Sequence, residues 1–353
     1  MKEPPKITYL LGAGASYNAL PIVNELASVA DEIIKHLIHY KTSYPNNIKN
    51  YSDFSKTISL IKEVAKHHSI DTLARKIWIK NKGSADNDEY IRIINLITAI
   101  LYFKQIEKNI LGYDNISIKR KSPIELVIDP RYEAFFAAIL KDDCSIPHNF
   151  SFISWNYDFQ IEKALHFYSD KRISETAEEY KIIYDKSRPP NKTTQIIKIN
   201  GTSLFESNNN VFDSTICNHE IYSILIDALS DNMERLKNTS SLIKFAWENE
   251  PEIKNHHAIA SEKIKDSDFV VVIGYSFPIF NRAVDIELFK YFEKGKIIIQ
   301  APESDVHQYI QQLESIKSNL SEKAIPITNL NQFYIPNEYW TEPKTKGNRA
   351  KVF

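Results

Sequence analysis

Glycine is scarce in this chain, with eight in 353 residues. A chain that uses it so sparingly places it where the backbone turns sharply or comes very close to something. Cysteine is scarcer still. Cys144 and Cys217 stand far apart without neighbours, which leaves a disulfide framework and a cysteine-built zinc site unsupported, so no metal is expected. Long apolar runs are missing too. The longest reach about nine residues, as in Phe269 to Phe277, against the ~20 a spanning helix needs, so no membrane partner is expected. Charge of either sign is not in excess: 44 Lys and Arg face 45 Asp and Glu, for a net charge of -1. That balance gives no bulk electrostatic case for direct nucleic-acid binding. Met1 to Lys6 run straight into an apolar strand with no targeting region and cleavage site, and a cytoplasmic location is the expectation.

Four of the eight glycines sit directly after short apolar runs that read as buried strands. They are Gly12 and Gly14 in Leu10-Leu11-Gly12-Ala13-Gly14-Ala15-Ser16, Gly201 in Ile199-Asn200-Gly201-Thr202, and Gly274 in Val272-Ile273-Gly274-Tyr275-Ser276. Strand ends are where an open α/β sheet binds its ligands. Strands are predicted at Ile7 to Leu11, Phe150 to Trp155, Gln195 to Ile199, Phe269 to Ile273 and Lys296 to Gln300, each short and β-branched or aromatic. Helical spacing fills Asp158 to Phe167, Ile221 to Leu236, Ser241 to Trp247 and Val284 to Phe292. This alternation predicts an α/β fold, a Rossmann-like doubly wound and mostly parallel sheet.

From about Ser52 to Leu140 the pattern is helical throughout, and Tyr90 to Ile106 is apolar nearly all round, as a buried central helix is. The organisation read from this is a nucleotide-binding domain over residues 1–40 and 145–330, a helical insertion module over 41–144, and a C-terminal extension over 331–353. Tyr180 to Thr194, with Pro189-Pro190, and Glu206 to Glu220, with Asn208-Asn209-Asn210, are polar connections, either lids or plain surface loops. Phe333 to Trp340 is rich in aromatics and is expected to pack back on the domain, with subunit contact as the alternative.

Four strand tips carry candidate chemistry, the last of them Ala301-Pro302-Glu303-Ser304 after Lys296 to Gln300, a sheet edge where a ribose or base could rest. Gly12-Ala13-Gly14-Ala15-Ser16 follows a strand and is read as opening a helix, so its backbone N–H groups, with the helix dipole behind them, could cradle a pyrophosphate. Tyr17 stands where the full dinucleotide fingerprint has a third glycine, so a tight turn without a ligand is an equal reading and a conventional nicotinamide dehydrogenase is disfavoured. Asn156 in Ser154-Trp155-Asn156-Tyr157-Asp158 projects from a strand tip, whereas Asp158 is well placed as a helix N-cap. Gly274-Tyr275-Ser276-Phe277-Pro278 repeats the theme, with Asp285 following at a helix start, and it too can be a tight turn only.

Taken in order, Gly12 to Ser16, Trp155 to Asp158, Lys198 to Thr202 and Ile273 to Pro278 resemble the sirtuin-like family, specifically its bacterial NAD-hydrolysing branch in anti-phage defence. The helical stretch with Ser69-Ile70-Asp71-Thr72-Leu73-Ala74 resembles an insertion seen in such proteins. The resemblance implies NAD as substrate at the sheet's carboxyl edge, its nicotinamide–ribose bond broken through an oxocarbenium-like transition state. It gives Asn156 the task of orienting the attacking group and the ribose hydroxyls, Gly14 and Ser16 with Gly12 and Ala13 the phosphate turn, and Tyr275 and Ser276 the loop on the adenosine side, with Gly274 and Asp285 as further cofactor-binding candidates. Asn156, Asn200 and Asp158 form the expected catalytic set. Two departures stand out. The cysteine pairs of a zinc ribbon are missing, which argues for hydrolysis of the dinucleotide over protein deacylation. Asn200 stands where the family usually has histidine, and an amide cannot act as a general base near neutral pH. Either positioning and charge stabilisation suffice, or another residue takes the proton: Asp158, Asp71, His68 or His148, although His148 follows a proline in a loop and reads as a surface residue, and His67 and His68 are more often solvated or capping than catalytic. The expected function is NAD glycohydrolysis, held off until a homo-oligomeric assembly, a ligand or a separate sensor or activator protein triggers it. The alternative is a catalytically weak or inactive regulatory subunit that binds NAD or ADP-ribose.

Overall fold

A computed structural model of the chain describes residues 3–21, 25–43, 53–67, 70–110, 127–169, 180, 182–183, 194–205, 218–248 and 251–341. His68, Ser69, Cys217, Pro189-Pro190, Asn208-Asn209-Asn210 and the basic stretch Lys344 to Lys351 lie outside them. The strands are β1 (Ile7–Leu11), β2 (Phe150–Ser154), β3 (Ile182–Ile183), β4 (Ile196–Lys198), β5 (Gly201–Phe205), β6 (Ser241–Ile243), β7 (Phe269–Ile273), β8 (Lys296–Gln300) and β9 (Ala324–Ile327). The helices are α1 (Leu26–Ser43), α2 (Ser55–Val64), α3 (Ile70–Lys80), α4 (Asp88–Ile110), α5 (Pro130–Ile139), α6 (Gln160–His166), α7 (Asn218–Leu229), α8 (Met233–Asn238), α9 (Pro251–Lys265), α10 (Arg282–Phe289), α11 (Glu303–Glu314) and α12 (Asn337–Thr341).

Seven strands form one sheet in the order β3-β4-β2-β1-β7-β8-β9. Every pairing in it is parallel. Strands buried on both faces need apolar side chains in both directions, and β1, β2 and β7 are buried along their whole length. Ile7, Tyr9 and Leu11 meet α5 and α6 through Phe135, Phe136, Ile161 and Leu165 on one face. Leu10 and its neighbours Val270 and Val272 meet α9, α10 and α11 through Ile264, Leu288 and Leu313 on the other. This is the Rossmann-like doubly wound arrangement. The chain leaves β1 towards β2 and returns to pair β7 on its far side, so the order reverses at β1. A crevice opens outside the carboxyl ends of the strands at such a reversal.

A second core gathers α1 to α4, α7, and the antiparallel pair β5 and β6. Helix α4 is apolar on all sides because α1, α2, α3, α7, α8 and both short strands surround it. These packing groups cut across the sequence segments. Helix α5, inside 41–144, belongs to the sheet's core, whereas α1 and much of 201–247 belong to the helical one. Periodicity marks an apolar face but not the neighbour that receives it. The aromatic stretch packs back on the sheet: Phe333 meets Tyr132 edge-on at 4.8 Å, and Tyr339 meets Phe150 at 4.9 Å.

Three local predictions differ from the structure. Ser241 to Trp247 is not helical; it opens as β6, because Gly201 starts a strand beside it. Ile221 to Leu236 is two helices, the second capped by Asn232, whose side chain accepts from the Glu234 and Arg235 N–H groups at 3.0 and 3.3 Å. The first glycine turn opens only a 3-10 segment, Ala13–Ser16, and α1 begins at Leu26.

Candidate functional site

The carboxyl ends of β1, β2, β4 and β7 converge on one cavity of about 280 Å³. It is roofed in part by the helical core, through Ile70 and Asp71 of α3 and Ile97 and Leu101 of α4. Of the residues expected from the sequence, Gly12, Ala13, Ser16, Asn156, Asp158, Asn200, Gly274, Tyr275 and Ser276 line it. Gly14 and Asp285 do not.

The glycine turn departs most from its expected role. Gly12 N–H donates to Ile273 O at 2.9 Å, Gly14 N–H to Gly274 O at 3.0 Å, and Ala15 N–H to Gly12 O at 2.8 Å. Three N–H groups of the expected cradle are therefore spent within the fold, and no α-helix dipole stands directly behind the turn. The glycines serve backbone contact instead. A Cβ on Gly12 would lie 2.6 Å from Gly274 O, and one on Gly14 2.8 Å from Gly274 Cα. Arg131 reaches the turn from its carbonyl side, donating to Ala15 O at 2.9 Å while paired with Asp129 at 2.6 Å. Among the described residues no lysine or arginine lines the cavity.

Strand β2 delivers the Trp155 to Asp158 loop. Asn156 is 6% exposed. Its backbone N–H is held by Ser154 Oγ at 3.1 Å, and its Nδ2 reaches Ser16 Oγ at 3.5 Å. Among the described residues its Oδ1 has no hydrogen-bond partner. Asp158 does act at a helix start: its Oδ1 accepts from Gln160 N–H at 3.0 Å at the entry to α6. Lys198 Nζ donates to the Asp158 carbonyl and, at 2.9 Å, to Glu162 Oε1, tying this loop to β4 from behind.

At the end of β4, Asn200 is a clamp. Its Nδ2 donates to Trp155 O at 2.8 Å, and its Oδ1 accepts from Ala246 N–H at 2.9 Å. The amide thus fixes the loop that carries Asn156, which makes Asn200 a positioning residue. Asn200→Ala would leave a buried carbonyl and a buried N–H unpaired. It is expected to cost about 2–4 kcal/mol in urea-monitored unfolding.

Beyond β7, Tyr275 stacks on Trp155 with ring centroids 5.0 Å apart and planes 7° from parallel. Its hydroxyl donates to Asp285 at 3.0 Å and accepts from Asn281 Nδ2 at 3.2 Å. Asp285 is fully buried behind this ring. It therefore acts on the cavity through Tyr275 and not by contact, a correction to its expected cofactor-binding place. Burial pushes the Asp285 carboxyl up to about 8, partly offset by the Tyr275 hydrogen bond.

Asp71 comes to the cavity from the helical core. His148 does not: it is exposed and precedes β2, at the strand's amino end. The lining residues Ile97, Leu101, Phe280 and Asn281 were not singled out from the sequence. Periodicity marks Ile97 and Leu101 as buried without saying what they face, and no local signal distinguishes Asn281. Among the described residues no group of three His, Cys, Asp or Glu side chains is placed to hold a metal ion. No described helix is long and apolar enough to cross a membrane.

The chemistry open to this arrangement is positioning by amides and proton transfer by carboxyls, in a space walled by aromatic rings. No protein-family model matches the chain, and no curated protein matches it in sequence.

Proposed function

We propose that this chain is an NAD glycohydrolase of sirtuin-like type, releasing nicotinamide and ADP-ribose. The observation that carries the reading is Asn156, an almost buried amide at a strand's carboxyl end whose Oδ1 is unpartnered among the described residues and which lines a cavity at the sheet's reversal point. An amide so held orients a ribose hydroxyl and a water without titrating, and orientation of reactants is worth several powers of ten in rate. The cavity's size lies near the lower end of ligand pockets, roughly 300–1,000 Å³. It suits one half of a dinucleotide, the cationic nicotinamide riboside, since the acidic side chains Asp71 and Asp158 are the ones that line it among the described residues. The anionic pyrophosphate would then lie towards the exposed residues Ala13 and Ser276.

Destruction of NAD without control kills a cell, so the same reading holds the enzyme inactive in the cytoplasm until a homo-oligomeric assembly, a ligand or a sensor protein triggers it, as anti-phage defence requires. Incubation of the purified chain with NAD, alone and with a neighbouring gene product, is expected to yield ADP-ribose and nicotinamide by chromatography. Asn156→Ala is expected to lower the rate at least about a hundredfold with an unchanged melting temperature. One observation favours a second reading: Asn200 has its amide spent on backbone and supplies no base. Tight NAD or ADP-ribose binding with intact NAD under every activating condition would identify a regulatory subunit.

A further inference from the structure

With Asn200 committed to backbone, His148 away from the cavity and His68 outside the described residues, the described groups that can accept the proton are the lining carboxyls of Asp71 and Asp158. Asp71 stands at the first turn of α3, in the helical core, yet lines the cavity under the sheet's rim. It is 9% exposed. Its Oδ1 accepts a 2.5 Å hydrogen bond from the Tyr157 hydroxyl, and its Oδ2 has no partner among the described residues. Tyr157 directly follows Asn156, so one loop carries the orienting amide and also holds this carboxyl. Among the described residues no lysine, arginine or histidine lines the cavity beside it.

Other titratable groups surround it in a defined way. Behind Tyr157 stand Tyr90 and Glu248, whose own contact is a 2.6 Å hydrogen bond from the Tyr90 hydroxyl. Asp158 also lines the cavity. Arg75, on the same helix, directs its guanidinium to Trp247, donating to its carbonyl at 3.4 Å. Burial raises the Asp71 carboxyl above the ordinary carboxylate range, and the Tyr157 hydrogen bond opposes this by favouring the ionised form. A carboxylate that is desolvated and singly hydrogen-bonded is a stronger base than one in water.

We propose that Asp71 is the proton acceptor for the water that attacks the ribose C1′, with Tyr157 as its positioning residue. This rests on the reading of the cavity as the nicotinamide riboside site. The water oxygen bonds to C1′ while the C1′–N bond breaks. The electron pair of that bond passes to the nicotinamide ring nitrogen and cancels its positive charge. The water proton moves to Asp71 Oδ2 and from there to solvent. No oxidant, reductant or metal enters the balance.

The test uses the full chain and its Asp71→Asn and Tyr157→Phe variants, with NAD turnover and binding of cationic nicotinamide riboside each followed from pH 5 to pH 9. Asp71→Asn keeps an acceptor for Tyr157 and is expected to lose about 10²–10⁴-fold in kcat. The acidic limb of the wild-type rate profile should vanish with it. Tyr157→Phe should move that limb up by about half to one pH unit, a shift a purely structural role would not give. Nicotinamide riboside should bind the wild type more tightly as pH rises, and Asp71→Asn weakly at every pH. Equal riboside binding by wild type and Asp71→Asn overturns the proposal whether or not turnover occurs. Turnover that survives in Asp71→Asn with its acidic limb overturns Asp71 alone and leaves the hydrolase reading standing. Riboside binding with this pH signature, but no wild-type turnover in any activating condition, overturns the hydrolase reading and the acceptor role with it.

Discussion

Gly274→Ala is expected to lose about 2–5 kcal/mol of stability and, with it, the NAD binding proposed for the cavity. Gly274 has φ +63°, in the left-handed region that L side chains avoid. A Cβ there would lie 2.2 Å from Ala15 N and 2.3 Å from Gly14 C. Both are backbone atoms of the turn after β1, so no rotamer change relieves the overlap. The backbone conformation alone costs about 1–2 kcal/mol. Separating two turns that are pinned by the Gly14 N–H to Gly274 O bond adds an overpacking cost of about 1–3 kcal/mol or more. A domain holds only about 5–15 kcal/mol in total, so the variant should sit close to unfolding. Urea titration followed by circular dichroism decides the matter; an unfolding free energy within about 1 kcal/mol of wild type would contradict it. Ala13, Ser16 and Ser276 form one wall of the cavity because these two turns touch. Any variant that does fold should therefore lose the NAD binding proposed for the cavity.

Asp285→Asn is expected to do the opposite at neutral pH and stabilise the protein by about 3–4 kcal/mol. Burial holds the native carboxyl at about 8, whereas an unfolded aspartate titrates near 3.9. Between those values the unfolded chain releases a proton that the native state keeps. The native state binds more protons, so stability falls as pH rises from about 4 to about 8. At about 1.4 kcal/mol per unit, this one group removes on the order of 4 kcal/mol by pH 7 relative to pH 4. Asparagine does not ionise and still offers an oxygen to the Tyr275 hydroxyl. The gain should be largest at pH 7 to 8 and close to zero at pH 4. Unfolding titrations at pH 4 and pH 7 check this directly, and a gain of equal size at both would show that ionisation is not its source. The natural carboxyl is thus a local cost at the ring that stacks on Trp155, of the kind found where a site trades stability for function.

Much of the architecture was legible because buried parallel strands announce themselves locally. Five short apolar runs were read as strands, and each coincides with a strand of the seven-stranded sheet to within a residue or two. The small and amide residues after them do gather at one rim, since parallel strands send all their carboxyl ends the same way. The two-residue β3 and the edge strand β9, which carries Pro326, gave too little pattern to read. The role of individual site residues was less legible. Asn156 and Asp158 stand where their place at a strand tip put them. Gly14, by contrast, read as a phosphate turn and proved to be a contact between two backbones. Asp285 read as a cofactor ligand and sits one ring behind the cavity.

What the chain determined by itself is therefore the set of elements and the rim on which its polar tips meet. Side-chain period and the placement of eight glycines are local properties, readable wherever they occur. What only the tertiary structure decided is who meets whom. The clamp from Asn200 to Trp155 and Ala246 spans 45 and 46 residues. The Tyr157 to Asp71 contact joins the helical core to the sheet across 86. Such pairings depend on how α3 and α4 lie over the sheet. That placement is fixed by burial of apolar surface, which is non-directional and leaves no mark at the polar residues it brings together.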